Sequence, residues 1–158
     1  MFHSIAKAIV NSYRAVMSQK LRELPGYALR RAANAMMAEL GARLSGLDLR
    51  VTDATVLLLL EEDCGLTSSE IGRILDIQRA NMVPLIARLE SAGLIGRVPV
   101  DRKSSAIRLT ALGRDRLEKV LAITSQFEAD LLGRIPPAHR EHFVPALNAL
   151  WNGKTIEP

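Results

Sequence analysis

The segment from Thr67 to Thr110 constrains the fold most, because signals for two short helices and a hairpin follow one another along it. Thr67 and Glu70 form a capping box, which marks the start of a helix. A tight connection near residues 76–78 leads to a second helical pattern, which Gly93 is expected to end. The second helix has an apolar stripe at helical spacing, formed by Met82, Leu85, Ile86 and Leu89.

The residues after the second helix predict two strands around a charged tip. In GLIGRVPVDRKSSAIRLT, two short apolar runs flank residues 101–105, where Arg102 and Lys103 stand side by side. The tip lacks the Asn-Gly or Asp-Gly pair of the tightest hairpins. Helix, turn, helix and a two-stranded wing, in this order, are typical of a winged helix-turn-helix module.

Long helices are predicted on both sides of this module. Apolar spacing predicts them at about 2–24, 27–44, 52–62, 111–135 and 138–151, with Pro-Gly and Pro-Pro breaks between the outer pairs. The predicted fold class is mainly α with a small β wing, a winged helix-turn-helix module flanked by N- and C-terminal dimerisation helices. The predicted domains are the N-terminal dimerisation helices at 1–46, the winged module at 47–113 and the C-terminal dimerisation helices at 114–158.

The terminal helices carry more apolar side chains than one small module can cover. They are Ile5, Ile9, Tyr13, Leu131, Leu132, Phe143, Leu147, Leu150 and Trp151. Burial of about 1,000 Å² of apolar surface contributes roughly 25 kcal/mol before the costs of association. We therefore expect a homodimer that buries them. The alternative is a monomer whose terminal helices fold back on the module.

The basic excess of the chain is local. The net charge is +4, and residues 70–116 hold nine Lys or Arg against five Asp or Glu, while the rest of the chain holds equal numbers of the two signs. A local excess of this kind favours a polyanionic partner such as nucleic acid. The alternative is a solvated surface with no partner.

The sequence predicts a cytoplasmic protein with no membrane partner. No apolar run is long enough to cross a bilayer, and residues 1–24 lack the basic start and continuous apolar stretch of a signal peptide. The single cysteine, Cys64, cannot form an internal disulfide, which favours a reducing compartment.

The second helix of a winged helix-turn-helix enters the major groove of double-stranded DNA, where its first turn faces the base edges. Arg pairs with guanine there, and Gln or Asn with adenine. The predicted DNA contacts of the two helices are Thr67, Ser68, Ser69, Gln78, Arg79, Ala80, Asn81, Val83 and Arg88. The alternative for Arg79 is that it is a solvated residue of the helix with no contact to DNA. Arg88 is predicted to contact a phosphate or another part of the protein rather than a base.

The wing tip is predicted to reach phosphates or an adjacent minor groove, whose negative potential favours arginine. Arg102 and Lys103 are the candidate residues for these contacts. Ser104 and Ser105 are predicted either to donate hydrogen bonds to phosphates or to form the turn only. Asp101 cannot bind phosphate, so we expect it to pair with a neighbouring arginine and shape the wing.

These residues resemble the MarR family of bacterial transcription regulators over about 26–151. The most specific part is the wing signature, which consists of Asp101, Arg102, Lys103, Ile107, Leu109, Thr110 and Gly113. The resemblance implies a homodimer on an inverted-repeat operator in the bacterial cytoplasm, associated with the nucleoid when bound. It also implies repression that ends when a small ligand binds between the dimerisation helices and the winged module. The ligand is often an aromatic carboxylate or a related thioester.

Two positions depart from the family pattern. Many members carry Asp at the position of Ala87 and Arg at that of Lys103, and these two pair to fix the wing against the second helix. Here the acid is missing, and lysine cannot make the two-pronged contact of arginine. We therefore expect a wing that is mobile in the free protein and ordered on DNA. Pro84, the other departure, is interpreted as a tolerated bend.

A pocket for the effector is expected beside the helix that contains YALRRAANAMM. The candidate effector-binding residues are Tyr27, Arg31, Asn34 and Met37, with Arg31 as partner of a carboxylate. The alternative is that the apolar residues belong to a plain core and that Arg31 faces solvent.

The sequence predicts no cofactor, no metal site and no enzyme. His139 and His142 have metal-ligand spacing, but no other ligand type clusters with them, so surface histidines are expected. The acidic residues before Cys64 disfavour a redox switch. No catalytic constellation or phosphate loop appears. The predicted function is a ligand-released, homodimeric repressor. The alternatives are a winged module used for protein docking and an activator of the same fold.

Overall fold

The computed structural model describes residues 19–61, 65–99 and 105–151 of the chain. Its elements are α1 (Pro25–Leu44), a 3-10 turn (Ser45–Leu47), α2 (Val51–Leu59), α3 (Ser68–Ile74), α4 (Arg79–Ser91), β1 (Ile95–Pro99), β2 (Ser105–Leu109), α5 (Ala111–Gly133) and α6 (Pro137–Trp151). The predicted fold class, mainly α with a small two-stranded wing, is confirmed. The predictions for Asp101, Arg102, Lys103, Ser104 and Cys64 lie outside the described residues, as do those for Ile5, Ile9 and Tyr13.

The chain divides into two compact units, residues 1–40 and 41–158. The described part of the first unit consists of helical residues 19–22 and most of α1. The helix break predicted at Pro25-Gly26 is found one to two residues earlier, at 23–24, and Pro25 opens α1. Proline suits this position because the first helical N–H has no partner within the helix.

The core of the second unit lies between α2, α4, α5 and the wing. Its most deeply buried apolar side chains include Leu44, Val56, Leu57, Ile71, Ile86, Leu89, Ile107 and Val120. As predicted, α2 is buried on several sides, through Ala54, Val56 and Leu57. Helix α2 also buries the carboxylate of Asp53, the one charged side chain that is buried within the described ranges.

The two C-terminal helices differ in how much they bury. Helix α5 buries Leu117, Val120 and Phe127. In α6, residues 137–150 are exposed apart from the half-buried Phe143. The break predicted at Pro136-Pro137 is confirmed, because α5 ends at Gly133 and Pro137 opens α6. None of the described helices combines the length and apolar character needed to cross a bilayer.

Candidate nucleic-acid interface

The predicted capping box fixes the start of α3. The Thr67 hydroxyl accepts from the backbone N–H of Glu70 at 3.3 Å, and the Glu70 carboxylate accepts from the Thr67 N–H at 2.7 Å. The Thr67 hydroxyl also donates to this carboxylate. The hydrogen bonds from the Thr67 backbone and hydroxyl lower the pKa of Glu70. They hold Ser68 and Ser69 in the first turn of α3, with Ser69 exposed.

The connection between α3 and α4 is short because Asp76 adopts the left-handed conformation, with φ of 50°. The Ile77 N–H then bonds back to the Gly72 carbonyl at 2.8 Å, which closes the end of α3. Gly72 allows the two helices to pack closely, since a Cβ there would lie 3.0 Å from Met82 Cγ. This packing sets the angle at which α4 leaves the turn.

Helix α4 has one buried and one exposed face. The buried residues are the predicted Met82, Leu85, Ile86 and Leu89. Gln78, Arg79, Ala80, Asn81 and Val83 are all exposed. The predicted base-reading residues therefore share the solvent side of the helix that begins at the turn.

Gly93 ends α4 in the predicted way. It has a φ of 69°, and its N–H bonds to the Glu90 carbonyl at 2.9 Å. The Leu94 N–H bonds to the Leu89 carbonyl at 3.0 Å, which completes a Schellman motif. The chain therefore turns directly from α4 into β1.

A groove of about 620 Å³ runs between α3, α4 and β1. Its lining includes the predicted residues Ser68, Ser69, Gln78, Arg79 and Val83. It also includes Arg73 and Arg97, which the sequence reading did not assign to the interface. Only five residues, which include the short turn, separate Arg73 from Arg79, and this spacing was a signal that Arg73 lies near the start of α4. The lining thus holds three arginines, one of them paired with Glu90, against the single carboxylate of Asp76. This basic excess suits a polyanion.

The base of the wing is tied to α4 by an ion pair. Strands β1 and β2 are antiparallel, and Arg97 lies opposite Ile107 in their register. The Arg97 guanidinium donates from Nε and Nη2 to the two carboxylate oxygens of Glu90 in α4, at 2.6 and 3.4 Å. Ala87, one turn earlier, offers no carboxylate. Glu90 and Arg97 therefore provide a link between helix and wing that does not depend on Lys103.

The wing signature also has a structural role after β2. The Thr110 hydroxyl accepts from the Gly113 N–H at 2.9 Å, capping α5, and donates to the Gly93 carbonyl at 2.6 Å. The Thr110 N–H bonds to the Leu94 carbonyl at 3.0 Å. Gly113 faces the same carbonyl, and a Cβ there would lie only 2.9 Å from the Leu94 carbonyl carbon. The exit of α4 and the start of α5 are therefore locked together.

Arg88 is engaged within the protein. Its Nε lies 3.2 and 3.3 Å from the two carboxylate oxygens of Asp53, and its Nη2 also pairs with this carboxylate. Asp53 is 1% exposed and Arg88 35% exposed. Asp53 also accepts from the Arg50 N–H at 2.9 Å at the start of α2. The pair therefore joins the middle of α4 to α2, and a phosphate contact of Arg88 stays a prediction.

The candidate effector residues lie on α1 in the first unit. Tyr27 is half-buried, with the guanidinium carbons of Arg30 and Arg31 at 5.4 and 5.9 Å from its ring centre. The other three candidates, Arg31, Asn34 and Met37, are exposed. Met37 is therefore not part of a buried core in the single chain. Their role in binding an effector stays a prediction.

The two histidines lie on the surface of α6. His139 and His142 are exposed, and His142 Nε2 lies 3.1 Å from Glu141. Within 19–61, 65–99 and 105–151, no three His, Cys, Asp or Glu side chains are grouped so as to hold a metal ion.

The sequence is similar to known transcription regulators. Residues 46–104 match the model of the MarR family. The HTH-type transcriptional repressor Rv2887 of Mycobacterium tuberculosis is 28% identical over 127 residues, which cover 79% of this chain and 91% of Rv2887. Over this range the chain is similar to the MarR family.

MarR regulators also match the fold. Rv2887 in complex with salicylic acid has a TM-score of 0.64 at 28% identity, covering 80% of this chain and 96% of that structure. The transcriptional repressor CouR has a TM-score of 0.76 at 29% identity, covering 85% and 97%. MepR of Staphylococcus aureus, solved with DNA, shares the fold with a TM-score of 0.75 at 22% identity, covering 82% and 96%. Rv2887 and CouR are transcriptional repressors.

Proposed function

We propose that this protein is a homodimeric repressor that binds an inverted-repeat DNA operator and is released by a small aromatic acid or thioester. The exposed first turn of α4 is the observation that carries the proposal. Gln78, Arg79 and Asn81 project from a helix whose opposite face is buried, so they are free to meet base edges. Residues 47–113 are the proposed DNA-binding module.

The wing is the second proposed DNA contact. Its base is held against α4 through Glu90 and Arg97, and Ser105 opens β2 opposite Pro99. The tip that carries Arg102 and Lys103 joins these two strands. We propose that these two basic side chains contact phosphates or a minor groove on the flank of the half-site.

Exposed apolar surface on α6 supports the homodimer. Val144, Leu147 and Leu150 are exposed there. Apolar side chains in a row on a helix are covered by a partner in most soluble proteins. We therefore assign residues 114–158 to dimerisation, and 1–46 with them, as the sequence predicts. Two copies would place two α4 helices on the two halves of an inverted repeat.

The proposed release by ligand is supported by the relatives. Rv2887 was solved with salicylic acid, an aromatic carboxylate. In this chain α1 presents Arg31 beside the Tyr27 ring, a cation next to an aromatic surface. Such a pair can bind both ends of an aromatic acid. We therefore propose aromatic acids and their thioesters as the first compounds to screen.

Arg79→Ala is expected to weaken operator binding by about 1 to 3 kcal/mol, because a contact of the arginine fork with one guanine is lost. Preference for that base pair should fall with it. Fluorescence anisotropy on a duplex selected in vitro, and on its single-base variants, measures both effects. Lys119→Ala removes the same charge from an exposed position of α5 and should leave the base preference intact. Unchanged affinity and unchanged preference in Arg79→Ala would show that α4 does not read the major groove.

A further inference from the structure

The outermost surface of α4 carries an apolar strip that begins within the first turn, between polar side chains. Ala80, Pro84 and Ala87 follow each other at i, i+4 and i+7, on the side opposite the buried stripe, and Val83 lies next to them. All four side chains are exposed, and Val83 is exposed to 66%. We call these four residues the apolar ridge.

The apolar ridge gives the isolated protein little stability. Valine and proline both have a lower helix propensity than alanine. Because these side chains are exposed, no packing in the single chain offsets that cost. Ala87 also stands where many family members carry an acid, so the ridge continues without charge for a further turn. A surface that costs helix stability and gains no packing points to a contact made outside the single chain.

Charged side chains surround the apolar ridge and fix its place in the interface. Arg79 precedes it, and Arg97 lines the same groove as Val83 and Ala87. Arg88 lies on the other flank, in a second groove with Pro84 and Asn81. Arg79 suits guanine or a phosphate, and Arg88 and Arg97 are paired with Asp53 and Glu90. The small apolar side chains between these arginines suit neither a phosphate nor guanine. They do allow α4 to approach the floor of a groove closely.

The apolar group that DNA presents in its major groove is the 5-methyl group of thymine. We propose that the apolar ridge binds thymine methyl groups, so that each operator half-site places thymines directly beside the base contacted by Arg79. This inference rests on the proposed function, since it requires α4 to enter the major groove. It makes Val83 a determinant of DNA sequence specificity.

Replacement of thymidine by deoxyuridine tests the inference, because it removes the methyl group and leaves base pairing intact. The probe is a duplex selected by the full-length protein from a random pool, with single thymidines replaced in both half-sites. We expect the wild type to bind the substituted duplex about fourfold more weakly for each contacted methyl. In Val83→Ala, the thymine-to-uracil ratio at one position should fall towards one. Lys119→Ala, at an exposed position of α5 outside the apolar row of α6, should keep the wild-type ratio at every position.

Three outcomes are distinguishable. A uracil-sensitive position that loses its sensitivity only in Val83→Ala supports the inference. Specific binding to selected half-sites without thymine, or a ratio near one at every position in the wild type, overturns the inference and leaves the regulator function standing. Failure of the pool to yield any preferred sequence overturns the proposed function, and the inference fails with it.

Discussion

Gly113→Ala is expected to lower the free energy of unfolding by about 3 kcal/mol, because the new methyl group would overlap the backbone carbonyl of Leu94. A backbone group cannot turn aside as the end of a flexible side chain can. The substitution would therefore push α5 away from the exit of α4 and strain the hydrogen bond between the Thr110 N–H and the same carbonyl. Urea unfolding followed by circular dichroism, at one fixed protein concentration, measures the loss.

Gly133→Ala is the matched control for this substitution. Gly133 lies in the last turn of the same helix, and a Cβ there meets no atom within 4 Å. Its replacement should leave the protein as stable as the wild type or slightly more so, because alanine favours a helix more than glycine. If the two variants were equally stable, the close approach between α5 and Leu94 would not exist in solution.

Arg88→Ala is expected to lower the free energy of unfolding by about 3 kcal/mol, because it leaves the carboxylate of Asp53 buried without its cation. Of the contacts described for the Asp53 carboxylate, only the hydrogen bond from the Arg50 N–H would remain. In Asp53→Ala the further replacement of Arg88 should cost much less, since the two residues act as one pair. Urea unfolding of the two single variants and the double variant gives this coupling.

Arg79→Ala serves as the control, because Arg79 is exposed on the same helix and should change stability by no more than about 0.5 kcal/mol. The comparison also decides between the two roles predicted for Arg88. A variant that loses stability supports the contact with Asp53. A stable Arg88→Ala that binds DNA weakly would instead identify Arg88 as a phosphate contact.

Local patterns predicted the helix-turn-helix and the wing well. The stripe of Met82, Leu85, Ile86 and Leu89, the capping box at Thr67 and the end of α4 at Gly93 are all found as expected. Each depends on residues close in sequence, whose spacing follows from helix geometry and from the few conformations that a helix end allows. Hydrophobic period and capping chemistry are sufficient for such features.

Contacts between distant segments could not be predicted in the same way. Asp53 and Arg88 lie 35 residues apart, and neither belongs to a period or a motif that links them. The pair of Glu90 and Arg97 spans the turn from α4 into β1, where the side-chain directions depend on the geometry of Gly93. The family pattern indicated that the wing lacks its usual ion pair with the second helix, because Ala87 replaces the acid. In the structure, the base of the wing is held to α4 by the Glu90–Arg97 pair instead.

The residues that the structure places in the candidate groove were assigned from the sequence only in part, and their contacts with DNA stay a prediction. The exposed residues of α4 and the serines of α3 were assigned from the expected docking of a recognition helix. Arg73 and Arg97 were not assigned, because Arg73 lies in the last turn of α3 and Arg97 in the middle of β1, away from the helix starts and the wing tip that the motif places against DNA. The sequence shows that they are basic, but only the packing of α3 and β1 on α4 shows that they share a groove with Arg79.

A salt series of fluorescence-anisotropy binding tests the central claim most directly. It compares the duplex selected in vitro with a scrambled duplex of the same composition. Our account predicts that a dimer prefers the selected duplex. It also predicts that the logarithm of the affinity falls linearly and steeply with the logarithm of salt concentration, as arginines and lysines release counterions from phosphates. Equal, weak and salt-insensitive binding to both duplexes would contradict a DNA-binding role and favour a winged module that docks to protein.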